Sequence, residues 1–153
     1  MLFERLKGDV FNFRMQAIGK PTNQIVGKNR FALMSYRNMM KRVAASAILK
    51  QKKVLRFKGE VVVIVVRESN RLVDQDGLPI SAKYFIDAMV QHKVIEEDDP
   101  DVCTIICMQR KVSKKEKGTE VLVLKKKELP EYQEVLKNII QKNNIIHNNI
   151  LTL

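Results

Sequence analysis

Glu60-Val-Val-Val-Ile-Val-Val-Arg67 is the stretch on which the fold turns. Six apolar residues, five of them valine, follow one another with no polar alternation. Such a run suits a central strand covered on both faces. Glu68-Ser-Asn-Arg-Leu-Val-Asp74-Gln-Asp76-Gly77 comes next, and Pro79 then stands where helices prefer to begin. Ala82, Phe85, Ile86, Met89 and Val90 recur at i, i+3, i+4, i+7 and i+8, the stripe of an amphipathic helix. Val94-Ile95 leads into the acidic turn Glu96-Glu97-Asp98-Asp99-Pro100-Asp101, and Val102 to Gln109 reads as a second strand. Strand, helix and strand in that order predict a sheet with helices on its faces.

Upstream, residues 10–18 alternate apolar and polar through Val10, Phe11 and Phe13, then Met15 and Ala17, a first strand, and Gly19-Lys20-Pro21-Thr22-Asn23 breaks the pattern with turn residues. Ser35 is a plausible N-cap for a basic amphipathic helix running to about Lys53, with Arg37, Lys41, Arg42 and Lys50 on its polar side. Downstream, the charged turn Lys111 to Gly118 predicts that Glu120 to Leu124 pairs back on the preceding strand as a hairpin. Tyr132, Val135, Leu136, Ile139 and Ile140 mark a last helix after Pro130, followed by an Asn- and Ile-rich end. The expectation is one α/β (α+β) domain, a mixed β-sheet flanked by helices, over residues 1–128. Residues 129–153 are expected to form a helical tail packed on the domain or on a partner.

A chain of 153 residues buries enough surface to fold without disulfides or structural metal. Its 45% apolar and 29% charged residues read as globular. The longest apolar run, Val61 to Val66, falls far short of the roughly 20 residues a membrane-spanning helix needs. The start shows no signal-peptide pattern. Cys103 and Cys107 are too few for a disulfide framework, and their spacing misses the C-x-x-C of redox and zinc sites, so a cytoplasmic setting is expected.

Charge says more. Between Asp74 and Asp101 eight acids meet two bases, a net of −6; elsewhere 26 bases meet nine acids, a net of +17. A cationic body points to a polyanion, because releasing condensed counterions drives phosphate binding. The acidic island opposes that binding unless a divalent cation neutralises it. Asp74 and Asp76 are one residue apart, so in extended chain both carboxylates point the same way. Asp98 and Asp99 precede the returning strand, and the strand–helix–strand order is expected to bring both pairs to one sheet end. Two carboxylates at about 4 Å repel by roughly 4 kcal/mol even at an effective dielectric near 20. Mg²⁺ prefers such oxygens together with phosphates and water, and phosphodiester cleavage uses acids of this kind. Lys83 would stabilise charge developing on the phosphate. The plainer alternative has Asp74 and Asp76 favouring a helix dipole, and Lys83 and Asp87 forming a surface ion pair at i and i+4.

The order Asp74-Gln-Asp76-Gly77, Lys83-Tyr-Phe-Ile-Asp87-Ala-Met, Glu97-Asp98-Asp99 resembles the signature of RusA-type Holliday-junction resolvases. The Gly19 to Asn23 loop is similar to the proline- and asparagine-containing loop after that family's first strand, and the resemblance covers roughly residues 10–125. Two departures stand out. The family's Asn after the second Asp is Gly77 here, and the interval from Asp76 to Lys83 is longer than in the best-known form. The resemblance implies a homodimeric, Mg²⁺-dependent endonuclease (Mn²⁺ substituting) that binds four-way DNA junctions and nicks two opposing strands symmetrically. Asp74, Asp76 and Asp99 would be its metal ligands, Lys83 its phosphate-stabilising base, and Asp98 and Asp87 supporting acids. Such proteins are often encoded by phages or prophages. For DNA contact we single out Lys20, Lys28, Arg30 and Lys41, in the loop and helix before the site. Two cuts on a two-fold junction need two sites related by a two-fold axis.

The rival from another class is a non-catalytic nucleic-acid-binding phage protein whose acids are solvating; a phage structural or interaction module is a further one. A nuclease using an acid-x-Lys on a strand fits less well, since the only candidates lie near Lys115 and Lys117 in a charged turn.

Overall fold

In the computed structural model, which describes residues 1–20, 24 and 27–147, four strands form one mixed sheet. The strands are β1 (Val10–Met15), β2 (Val61–Ser69), β3 (Cys103–Lys111) and β4 (Gly118–Lys125). The helices are α1 (Arg30–Leu49), α2 (Leu78–Gln91) and α3 (Leu129–Lys142). The sheet order is β1-β4-β2-β3. β2 and β3 are parallel, with Val61 opposite Cys103 and Ser69 opposite Lys111. β4 is antiparallel to both β1 and β2. β1, β2 and β3 therefore run the same way, joined by helical crossovers, and β4 enters against them between β1 and β2.

The apolar run of β2 behaves as its composition demands, for all nine of its residues are buried. Val61, Val63 and Val65 pack with Phe11, Phe13, Val121 and Val123 under α1 and α2. Val62, Ile64 and Val66 face the other way, onto Leu122, Leu124 and Met108, covered by Phe3 and by Leu136 and Ile140 of α3. The expected mixed sheet flanked by helices is thus a sheet between two helical layers, and α3 closes the second of its two cores.

Three details differ from the sequence expectation. The hairpin is absent: β4 does not pair with β3 but crosses to the far side of β2, Val63 facing Val123 and Ile64 facing Leu122. Pairing there buries β4 on both faces between two apolar neighbours, which an edge position beyond β3 would not do. α1 starts earlier than Ser35: the Asn29 side-chain oxygen Oδ1 accepts the Ala32 N–H at 2.8 Å, so Asn29 is its cap, and the helix ends at Leu49. Of the turn after β1, Pro21, Thr22 and Asn23 lie outside the described residues, as do 148–153 of the Asn- and Ile-rich end.

Candidate functional site at the C-terminal edge of the parallel strands

Helical crossovers between parallel strands place the loops after β1, β2 and β3, and the starts of α1 and α2, at one edge of the sheet. This is where open α/β sheets bind ligands. Lys20 follows β1; Lys28 and Arg30 stand at the start of α1; Asp74 and Asp76 follow β2. The loop after β1 is fixed there by Gly19: a Cβ on it would lie 1.7 Å from the Ser81 carbonyl oxygen, so only glycine allows this approach to α2. The loop after β2 is fixed by Gln109, whose amide accepts the Val73 N–H at 2.9 Å and donates to the Val73 carbonyl at 2.8 Å.

Asp74 takes the capping position of a short 3-10 turn, Gln75–Gly77, that runs into α2. Its backbone is extended, as at a cap, yet its carboxylate makes no capping hydrogen bond. Asp76 follows within that turn, and both side chains are exposed. Gly77 has φ −83°, an ordinary right-handed value, so the backbone does not require glycine where the resembled family has Asn.

Lys83 lies on α2, 58% exposed, with its ammonium 3.9 Å from Asp87, a surface pair of small energetic weight. It lines a cleft of about 350 Å³ between α2 and the edge strand β3. Leu78, Ala82 and Ile86 form the cleft's α2 side, Ile105 and Cys107 its β3 side, and Gln75 and Asp98 also border it. The rise of α2 from Leu78 to Ile86 makes this cleft about 12 Å long.

Asp98, at the border of this cleft, belongs to the second acidic pair. Asp74 and Asp76 precede α2, while Asp98 and Asp99 precede β3, and β3 begins beside the start of β2, not beside its end. The expected convergence of Asp74, Asp76 and Asp99 at one sheet end is therefore not what a single chain forms. Among the described residues no three His, Cys, Asp or Glu side chains gather to hold a metal ion. Asp99 is engaged locally: its carboxylate accepts the Asp101 N–H at 2.9 Å and its carbonyl accepts the Val102 and Cys103 N–H groups, shaping the turn into β3. The parallel register is the physical reason, since it puts the end of one strand and the start of the next at opposite edges. The pair Asp74 and Asp76 by itself fits Mg²⁺, which takes one or two carboxylates and fills its remaining positions with water and substrate oxygens.

The basic residues divide too. Lys20, Lys28 and Arg30 are exposed at the acidic pair's edge. Lys41 is half-buried beside Arg42, Gln91 and His92, where α1 meets the end of α2. Sequence reasoning assigned no role to Arg67, Tyr36 or Tyr84, and read Arg37 only as part of the polar face of α1. The Tyr36 and Tyr84 rings meet edge-on at 5.6 Å, Lys20 Nζ lies 5.0 Å from the Tyr36 ring centre, and the Arg37 guanidinium lies 5.6 Å from that of Tyr84. The signal was present in Arg67, the first polar residue after the apolar run of β2.

Fold and site define a single-domain α+β protein with a free acidic pair and a basic, tyrosine-lined surface at one sheet edge. No family model and no curated protein matches the chain. Among the described residues no helix is long and apolar enough to cross a membrane.

Proposed function

We propose that the chain is a metal-dependent endonuclease of the RusA type, acting on four-way DNA junctions as a two-fold dimer. The observation that carries this reading is Asp74, an aspartate in a helix-capping position that leaves the cap unmade, with Asp76 beside it and no other partner at either carboxylate among the described residues. Asp74 and Asp76 would hold Mg²⁺, and the ion would polarise a phosphate and acidify a bound water. Lys20, Lys28 and Arg30 are exposed at the same edge and would hold the DNA backbone; Lys83 would add positive charge from the cleft wall. Asp99 supplies no ligand to this site from the same chain.

The test is incubation with a synthetic four-way junction and a matched linear duplex, with and without Mg²⁺. Nicking of the junction alone, only with Mg²⁺, and lost in Asp74→Asn is the expected result. Because the Asp98–Asp99 pair stands apart from Asp74 and Asp76, a second reading is a junction or duplex binder without cleavage. Tight binding in EDTA with no cut under any metal would establish that reading in place of the first.

A further inference from the structure

Arg67 is a buried cation with no anion among the described residues. It ends the apolar run of β2 on the face under α1 and α2, and it is 6% exposed. One terminal nitrogen donates to the Arg71 carbonyl at 3.0 Å; Nε is buried with no partner. No carboxylate of the described residues pairs with it. Residues 21–23, 25–26 and 148–153 contain no acidic side chain, so the sequence offers none there either.

The same sheet edge holds an internal comparison. On the opposite face, Arg14 and Arg110 converge on the buried carboxylate of Glu68, with Glu120 3.8 Å from Arg14. Two guanidiniums there have two carboxylates; Arg67 has none. Leaving an ion buried and uncompensated costs several kcal/mol, and arginine does not escape by losing its proton. Burial pushes the Arg67 pKa below the ordinary guanidinium value, and the proton is still held at neutral pH.

The surroundings point to what is missing. Tyr36 is on α1, which covers the β2 face that carries Arg67, and its oxygen accepts the Lys20 backbone N–H at 2.7 Å, leaving the phenolic proton free to donate. Burial raises Tyr36 above the usual phenol value, so it stays a neutral donor. Lys20 and Arg37, both exposed, stand over the Tyr36 and Tyr84 rings. Two cations thus stand over one aromatic pair, and the buried Arg67 lies on the β2 face that α1, the helix of Tyr36, covers, with no ion-pair partner among the described residues. A planar guanidinium fork, an ammonium and a hydroxyl are the donors that grip a phosphate oxyanion.

We propose that Arg67, Tyr36, Lys20 and Arg37 form a phosphate-oxyanion site, occupied by a backbone phosphate of the nucleic-acid substrate. The occupant rests on the DNA reading above; the oxyanion site does not. It lies at the same strand end as Asp74 and Asp76, so a phosphate held by Arg67 positions the strand next to the acidic pair.

The experiment has two arms, each on wild type, Arg67→Met, Lys20→Gln and Arg37→Gln. The first measures the melting temperature with inorganic phosphate against chloride at equal ionic strength. The second measures affinity for a labelled four-way junction and a duplex in EDTA over a salt series. Phosphate should raise the wild-type melting temperature, and Arg67→Met should lose that rise. Arg67→Met should also weaken DNA binding by about 10- to 100-fold, the worth of charge-assisted hydrogen bonds, and reduce the salt slope by about one. If Arg67→Met does not fold, Lys20→Gln and Arg37→Gln carry the test, and an unchanged phosphate response in both overturns the site. DNA binding with no phosphate response in any variant and with Arg67→Met equal to wild type overturns the site while the DNA reading stands. A phosphate response lost in Arg67→Met, with no DNA bound by wild type, upholds the oxyanion site and overturns its nucleic-acid occupant.

Discussion

At the scale of single residues, the buried charges behave oppositely to the exposed ones. Glu68 is 1% exposed and receives Arg14 Nε at 3.3 Å and Arg110 Nε at 2.6 Å. Glu68→Gln would leave Arg110 without a countercharge and Arg14 with Glu120 alone, and a loss of about 3–5 kcal/mol is expected in denaturant unfolding. Glu120 differs. Burial raises its pKa, the Leu2 N–H it accepts at 2.7 Å opposes the rise, and the neighbouring Glu68 adds to it. The folded state therefore holds this proton more tightly than the unfolded one. The contribution is fully present below the ordinary glutamate value and is lost as pH rises through the raised one. Glu120→Gln keeps an acceptor for Leu2 and removes the charge, so its stability at neutral pH should equal or exceed wild type; a loss comparable to Glu68→Gln would contradict this account. The two thiols offer another check. Burial pushes both Cys103 and Cys107 up to about 11, with Asp98 adding to the rise at Cys103. Four residues along one strand places them about 13 Å apart, beyond disulfide reach. Iodoacetamide at neutral pH should label neither in the folded protein and both after denaturation. At the acidic pair, Asp74→Asn should abolish nicking while leaving junction affinity equal or tighter, because phosphates then meet one acid fewer.

At the scale of elements, the loop after β1 depends on a contact that no propensity encodes. Gly19→Ala would drive its methyl into the Ser81 carbonyl, so the loop must lift from α2 and carry Lys20 with it. We expect weaker DNA binding from this change than from Gly27→Ala, where nothing lies within 4 Å, although Gly27 has a positive φ of 81° that strains any side chain. Gel-shift affinities of the two variants make the comparison. α3 is a layer of the same fold. Leu136→Ala, deep in the second core, should cost about 2–5 kcal/mol by denaturant unfolding.

For the whole molecule, the proposed function predicts that the +17 carried outside the acidic segment dominates encounter with nucleic acid. Affinity should fall linearly with salt on logarithmic axes, and reversing Lys20, Lys28, Arg30 and Lys41 together should flatten that line. Lys41 stands apart from the other three, so its single reversal should change the slope least. An unchanged line for the quadruple variant would place the DNA on another surface. The proposed two-fold dimer predicts a mass of twice the single chain in sedimentation over a concentration series; a monomer at every concentration would contradict it.

Much of the fold was legible in the sequence. The Val61–Val66 run announces a strand buried on both faces, the Ala82–Val90 stripe a helix, and the β-branched and apolar segments around them the remaining elements, because periodicity and burial are local properties of the chain. The Asp74-x-Asp76 pair and the cationic surplus were equally plain. Pairing was not. β4 crosses to the far side of β2 rather than folding back on β3, since partner choice depends on which buried surface is still open after the other strands have docked. The same non-local rule separates Asp99 from Asp74 and Asp76: direction of pairing, not spacing along the chain, decides which loops share an edge. Arg67 shows the limit most clearly, for a sequence records that it is cationic, and only the packed tertiary structure reveals that it is buried without an anion.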